Sequence, residues 1–252
     1  MLREVRHEKL LGILGEEGVL PIREIARRLG VSQATARRDL TELGEAGRLT
    51  RVYGGAVAAR ADDEPAFEDV AVDELSAKAA LAARAAELVA DGDTMLLDIG
   101  TTTLQLAKLL HGRPVTVVTS SLAVYEELGD DPEVRLILLG GEVRRNYLSL
   151  VGFLTESNLR ELHVRRLFLG ASGVLPDGSV LDSTHVEVPV KRAMIAAARE
   201  VVLLASAGKF PGHSGLARVC GAADIDALIT NDTSDPATLA AFREAGTEVI
   251  TV

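Results

Sequence analysis

The sequence reads as a multidomain α/β protein: a small N-terminal domain, then a C-terminal α/β domain with a mostly parallel sheet covered by helices. Three observations carry this reading. Residues 1–57 hold three short amphipathic stretches and then two β-like runs with glycines between them. From 76 to 252 short apolar runs alternate with helix-like stretches, the pattern of parallel strands buried on both faces. Between the two, 58–75 is partly acidic, contains Pro65 and keeps no sustained period, which reads as a linker.

The elements follow in order. Val5, Leu10, Ile13 and Leu14 form the apolar stripe of a first helix, ended by Gly15 and Gly18. Pro21 opens a second helix, at a position where a missing N–H is tolerated. Its apolar residues Ile22, Ile25, Ala26 and Leu29 fall at i, i+3, i+4 and i+7, and Gly30 stops it. Ser32 is a good N-cap for a third helix running to about Ala46. The runs on either side of Gly54 and Gly55 predict a hairpin, or wing.

Two short helices joined through Leu29, Gly30, Val31 and Ser32 make a helix-turn-helix pattern, and the hairpin makes it a winged helix-turn-helix. On the third helix Ala36, Leu40 and Leu43 face inward. The opposite face carries Ala34, Arg38, Thr41 and Glu45, flanked by Thr35 and Arg37. Ser32 and Gln33 stand at the helix start, the end of a recognition helix that reaches base edges. Arg bonds guanine edges bidentately, Gln bonds adenine, and both hold phosphates. Arg48 and Arg51 lie on the wing, suited to backbone phosphates. The candidate contacts to double-stranded DNA are therefore Ser32, Gln33, Ala34, Thr35, Arg37, Arg38, Thr41, Arg48 and Arg51. A solvated, Arg-rich helix in a generic helical domain is the plainer alternative.

In the second domain, helices are expected near 76–90, 102–111, 121–129, 155–162, 186–198 and 236–245. Strands are expected at 95–99, 115–119, 134–139, 167–169, 201–204, 227–229 and 249–252. One strand runs out through Asp98 and Gly100 into Thr101, Thr102 and Thr103, where a helix begins. Backbone N–H groups at a helix start, a glycine for close approach and nearby hydroxyls suit an anion. Threonines also cap helices for structural reasons alone. Other strand-end groups accompany it: Ser120, Gly140 with Gly141, Ser172, Glu187 with Lys191, and Lys209. Ligands of open α/β sheets bind at the carboxyl ends of strands.

Composition bounds the rest. The net charge of −10 divides unevenly: residues 1–60 hold 11 Lys and Arg against 8 Asp and Glu, and the remainder 16 against 29. Only the first segment attracts phosphate. Hydrophobic residues make up 47% and aromatic residues 3%, so the cores are built from Leu, Val, Ile and Ala. Cys220 stands alone, which excludes an intrachain disulfide and reads as a small buried hydrophobe. The chain has no signal-type apolar segment and no run of 18 apolar residues, so a cytoplasmic protein that engages no membrane is expected. The five histidines are dispersed, and neither a metal nor a cofactor is implied.

The run Gly30-Val31-Ser32-Gln33-Ala34-Thr35-Ala36-Arg37-Arg38-Asp39-Leu40, with Leu43, Gly47, Leu49, Arg51, Gly54 and Gly55, closely resembles the signature of the DeoR family of regulators. Nearly all of 76–252 resembles that family's effector domain, which is itself similar to ribose-5-phosphate isomerase. The resemblance implies a transcriptional repressor of a carbohydrate-metabolism operon, released by a phosphorylated sugar or polyol. It implies that Lys191 and Lys209 neutralise phosphate and that Glu187 bonds sugar hydroxyls. Two-fold operators and the small contact area of one winged helix point to a homo-oligomer, at least a dimer. The chain departs from the family in places. Ala36 stands where Ile or Val is usual, Ser120 where Asn is usual, and Ser206 where the family has Asp; Val188-Pro189 interrupts the usual run before Lys191. A sugar-phosphate isomerase with an accessory DNA-binding domain is the alternative, although the loop holding Ser172 offers no acid. A structural or interaction protein is the third reading.

Overall fold

The computed structural model describes residues 3, 6, 7, 9, 10, 13, 14, 20–45, 49–52, 55–58, 66–212, 215, 217–232 and 235–252. They divide into two units, Met1–Pro65 and Ala66–Val252.

In the first unit the described residues between 3 and 14 are helical. A short strand β1 (Leu20–Pro21) leads into α1 (Ile22–Leu29) and α2 (Gln33–Glu45), then β2 (Leu49–Val52) and β3 (Gly55–Ala58). Gly30 ends α1 with φ at 66°, a left-handed turn that suits glycine, and its N–H returns to the carbonyls of Ala26 and Arg27. Ser32 Oγ accepts from the Thr35 N–H at 3.1 Å, capping α2. The wing is the antiparallel pair β2–β3, and β1 adds a third strand beside β3. Leu10, Leu14, Leu20, Ile25, Leu29, Ala36, Leu40 and Leu43 pack as one buried core.

The second unit opens with α3 (Phe67–Val72) and α4 (Leu75–Ala86). Then follow β4 (Thr94–Leu97), α5 (Thr101–Lys108), β5 (Thr116–Thr119), α6 (Leu122–Leu128), β6 (Arg135–Leu138), β7 (Glu142–Arg144), β8 (Ser149–Val151) and α7 (Phe153–Arg160). The rest is β9 (Val164–Gly170), β10 (Gly173–Val174), β11 (Val180–Asp182), α8 (Val188–Ala197), β12 (Ala198–Leu204), β13 (Ala217–Cys220), β14 (Ala227–Thr230), α9 (Pro236–Glu244) and β15 (Glu248–Thr251). Seven strands form one parallel sheet in the order β15-β14-β12-β9-β4-β5-β6. All seven apolar runs expected from the sequence are these strands, and all six helix-like stretches are helices. Side chains alternate between the two faces. Met95, Leu97, Phe168 and Val202 pack with Leu81, Leu106 and Val124 of α4, α5 and α6. Leu96, Leu167, Leu169 and Leu203 pack with Leu159, Met194 and Phe242 of α7, α8 and α9. Cys220 is buried, and burial pushes its thiol up to about 12. Among the described residues no helix is long and apolar enough to cross a membrane.

Of the stretch 58–75, expected as a linker, 66–75 groups with the second unit, and the division falls after Pro65. Phe67 is buried, with its ring edge-on to Tyr147 at 5.6 Å between centroids. Helix α3 is only six residues long, too short for a helical period to show. Two further antiparallel pieces had no strand signal, the hairpin β7–β8 and the sheet β10-β11-β13.

The sheet has one reversal. The chain runs outward through β4, β5 and β6, then returns to the other side of β4 to lay down β9, β12, β14 and β15. The crevice at such a reversal, outside the carboxyl ends of β4 and β9, is where ligands of this architecture bind.

Candidate functional site

Helix α2 presents Ser32, Gln33, Ala34, Arg37 and Arg38 to solvent, with Thr35 and Thr41 half-buried. Arg37 and Arg38 take part in no described ion pair, unlike Arg27 and Arg28, which both pair with Glu24. Thr41 Oγ1 donates to the Arg37 carbonyl at 2.9 Å and so is partly spent on its own helix. Arg48 lies outside the described residues; Arg51 is in β2, and nothing is described of its side chain. The inner side of α2 carries a charge, Asp39, which is buried. Arg6 grips both of its oxygens, Nε on Oδ2 at 2.6 Å and Nη2 on Oδ1 at 2.7 Å, and His7 Nε2 lies 3.2 Å from Oδ1. Burial pushes this carboxyl up, and the hydrogen bonds from Arg6 and His7 outweigh it and hold it below its usual range. His7, Asp39 and Glu42 converge closely enough to ligate a metal, a cluster invisible in the sequence. The bidentate hold of Arg6 on Asp39 already engages that carboxylate, so the set does not fit a cation.

At the carboxyl ends of the large sheet the structure brings Asp98, Lys191 and Glu187 together. Asp98 follows β4 and is buried; its Oδ2 accepts from the Gly170 N–H at 2.9 Å and from Lys191 Nζ at 2.5 Å. Lys191 also meets Asp182 Oδ2 at 3.2 Å and the Gly170 carbonyl at 3.2 Å. Its burial opposes the charge, but the carboxylates of Asp98 and Asp182 hold it protonated, above the ordinary lysine range. Lys191 is 3% exposed and carries two counter-ions, so it is the internal anchor of a buried ion cluster rather than a cation at the surface. Glu187 Oε1 accepts from Ser149 Oγ at 2.6 Å and from Arg144. Burial pushes Glu187 above the usual carboxylate range, against the pull of Ser149 and Arg144.

These groups leave polar atoms over. Asp98 Oδ1, Glu187 Oε2 and Ser120 Oγ are buried and have no hydrogen-bond partner among the described residues. Ser120 is joined to the Glu187 surroundings through β8, since its carbonyl accepts from Leu150 N–H at 2.8 Å. Nearby, Gly100 adopts φ 121° and α5 begins at Thr101. The first-turn N–H groups of a helix have no intrahelical acceptor. Thr101 is buried and Thr102 half-buried, whereas the Thr103 hydroxyl is committed to the carbonyls of Asp98 at 2.7 Å and Gly100 at 2.9 Å.

Other expected residues serve the scaffold. Gly140 N–H donates to Asn158 Oδ1 at 3.2 Å, and its carbonyl accepts from Thr155. A Cβ on Gly141 would overlap Thr155 Oγ1 and the Val151 carbonyl, so glycine is needed for packing there. Ser172 Oγ accepts from the Ser183 N–H at 3.0 Å. Lys209 is half-buried after β12, in no described ion pair. Beside it lies Lys78, which sequence reasoning missed. Lys78 is buried, and its Nζ donates to the Val70 carbonyl at 2.6 Å. Burial first, then repulsion from Lys209, pushes its pKa down. The signal was present: Lys78 shares the buried stripe of α4 with Leu81, Ala82 and Ala85. Ser206 donates to Glu74 Oε2 at 2.6 Å and ties the Lys209 loop to the start of α4.

Residues 6–61 match the DeoR-like helix-turn-helix domain, and residues 73–232 match the DeoR C terminal sensor domain. The HTH-type transcriptional regulator GolR of Listeria innocua is 33% identical over 97% of this chain and 96% of its own length. The Glycerol-3-phosphate regulon repressor of Escherichia coli is 31% identical over 92% of each chain. Among solved structures, ribose 5-phosphate isomerase A of Methanocaldococcus jannaschii has a TM-score of 0.39 at 19% identity over 52% of each chain, too distant to carry an argument. The relatives that span the chain are regulators, not enzymes, which sets the isomerase alternative aside.

Proposed function

The chain belongs to the DeoR family of transcriptional regulators, and on that premise we propose that it represses a carbohydrate operon and is released by a phosphorylated sugar or polyol. One observation carries the effector reading. Asp98 Oδ1, Glu187 Oε2 and Ser120 Oγ are buried without partners among the described residues, and buried polar atoms are rarely left so. Hydroxyls of a polyol supply donors for both carboxylates and a partner for the serine. The dianionic group goes to the start of α5 and to Lys209 with Lys78, two like charges in no described ion pair. Operator DNA is read by α2 through Gln33, Arg37 and Arg38, as a homo-oligomer in the cytoplasm.

A thermal-shift screen of sugar and polyol phosphates tests the effector half, since a ligand of the native state raises its apparent stability. No shift from any of them would remove it. For the DNA half, Arg38→Ala is expected to weaken operator binding about ten- to a hundredfold. If Arg38 held only phosphate, the loss would instead be uniform over DNA sequences and the salt slope would fall by about one. Wild-type footprints from the variant would refute the assignment of α2.

A further inference from the structure

The hairpin β7–β8 stands with one foot in the strand-end site. Arg144 on β7 and Ser149 on β8 are register partners, and both donate to the same oxygen of Glu187. The other oxygen, Oε2, is the buried one without a partner among the described residues. The far end of the hairpin touches α3. The Arg144 guanidinium lies 5.8 Å from the centroid of the Tyr147 ring. Tyr147 meets Phe67 edge to face, at 83° between ring planes. The Phe67 N–H donates to the Asn146 carbonyl at 3.0 Å. Phe67 opens α3 directly after the division at Pro65, where the chain passes from the first unit to the second.

We propose that the β7–β8 hairpin reports occupancy of the strand-end site to α3: ligand hydroxyls that donate to the open Oε2 of Glu187 draw the carboxylate toward the ligand and away from Arg144, and the released guanidinium loosens the hold of Tyr147 on Phe67. This rests on the reading that the site takes a hydroxyl-bearing ligand. A ligand shifts a conformational equilibrium only by contacting the two states differently. Glu187 provides the difference, because it is paired with Arg144 when the site is empty and with the ligand when it is filled. Tyr147 and Phe67 are positioning residues here and touch no ligand.

The experiment has an arm that needs no ligand. In the full-length chain, Arg144→Met breaks the pair with Glu187 as the ligand would. Amide hydrogen exchange over 67–72 is expected to quicken about tenfold while that of α9 stays at the wild-type rate. Operator affinity should fall by about tenfold as well, within the usual range of coupling between sites. Arg113→Met, which removes hydrogen bonds to the Val89 carbonyl and Asp91 and leaves the hairpin alone, should do neither. The second arm uses glycerol 3-phosphate and ribose 5-phosphate as probes. Tyr147→Ala should bind whichever probe wild type binds, with wild-type affinity, yet no longer release the operator; Tyr147→Phe should behave as wild type. Unchanged exchange over 67–72 in Arg144→Met overturns the proposal whether or not a probe binds. Faster exchange throughout 66–252 overturns it too, since Arg144 would then merely hold the domain together. If neither probe binds but Arg144→Met still moves 67–72, the coupling stands and these two effectors are excluded.

Discussion

The two units use charge in opposite ways. On α2 the arginines at 37 and 38 are exposed and in no described ion pair, while Asp39, which is buried, is fully engaged by Arg6. In the second unit the carboxylates of the candidate site are buried and paired internally: Asp98 and Asp182 with the buried Lys191, and Glu187 with the half-buried Arg144. An exposed cation is free to meet a polyanion and responds to salt. A buried cluster offers a ligand first the atoms its own pairs leave over. The first unit thus presents charge, and the second presents unfilled hydrogen-bonding capacity.

The largest expected effect breaks this contrast at Lys191. A surface lysine can be removed with little change in stability. Lys191→Met would leave Asp98 and Asp182 facing each other in the interior, and breaking a buried pair from one side costs about 3–5 kcal/mol. Urea unfolding followed by a signal from the second unit should show that loss. Wild-type stability, with effector response abolished, would restore Lys191 to the surface role its position in the sequence suggested.

The fold was far more legible than the site. Every strand of the large sheet contains an apolar run, because the part of a parallel strand covered on both faces has no polar side to break its pattern. Glu142–Arg144 and Ser149–Val151 carry no such signal, and Phe67–Val72 is too short to show a period. Asp98, Glu187 and Ser120 were readable as strand-end polar residues. Their pairing was not. The Lys191–Asp98 bond joins residues 93 apart in sequence, and the Arg144–Glu187 bond joins residues 43 apart. Side-chain partners at such separations follow from topology and leave no local trace. The hydroxyl of Thr103 and that of Ser120 look alike in the sequence, yet the structure spends the first and leaves the second over.

A smaller effect sharpens the contrast through pH. Asp39 is held below the ordinary carboxylate range, where Arg6 and His7 outweigh burial. A carboxyl whose pKa is lowered by folding adds stability above its unfolded value of about 4, and that stability is lost as pH falls through the folded value. Asp39→Asn cannot ionise. The stability gap between wild type and variant in the first unit should therefore be full near neutrality and shrink as the solution is acidified below about pH 4. A gap that stays constant with pH would mean that Asp39 contributes by shape and not by charge.

The smallest effect compares two hydroxyls of the same crevice. Thr103 Oγ1 shares its one proton between the backbone carbonyls of Asp98 and Gly100; Gly100 also accepts from the Leu104 N–H at 3.1 Å, so Thr103→Val leaves chiefly the Asp98 carbonyl short of a donor in a buried place. That should cost about 1–3 kcal/mol of stability. Ser120 Oγ is equally buried but has no described partner, so Ser120→Ala removes an unmet polar group and should leave stability unchanged or slightly raised. If Ser120 is kept for a ligand, the same substitution weakens effector binding by roughly tenfold, the worth of one hydrogen bond. Thermal melts of the two variants, with and without the effector found in the screen, separate the roles. A Ser120→Ala protein that loses stability as Thr103→Val does would show that the serine has an internal partner in solution. The candidate site would then lose one of its three open positions.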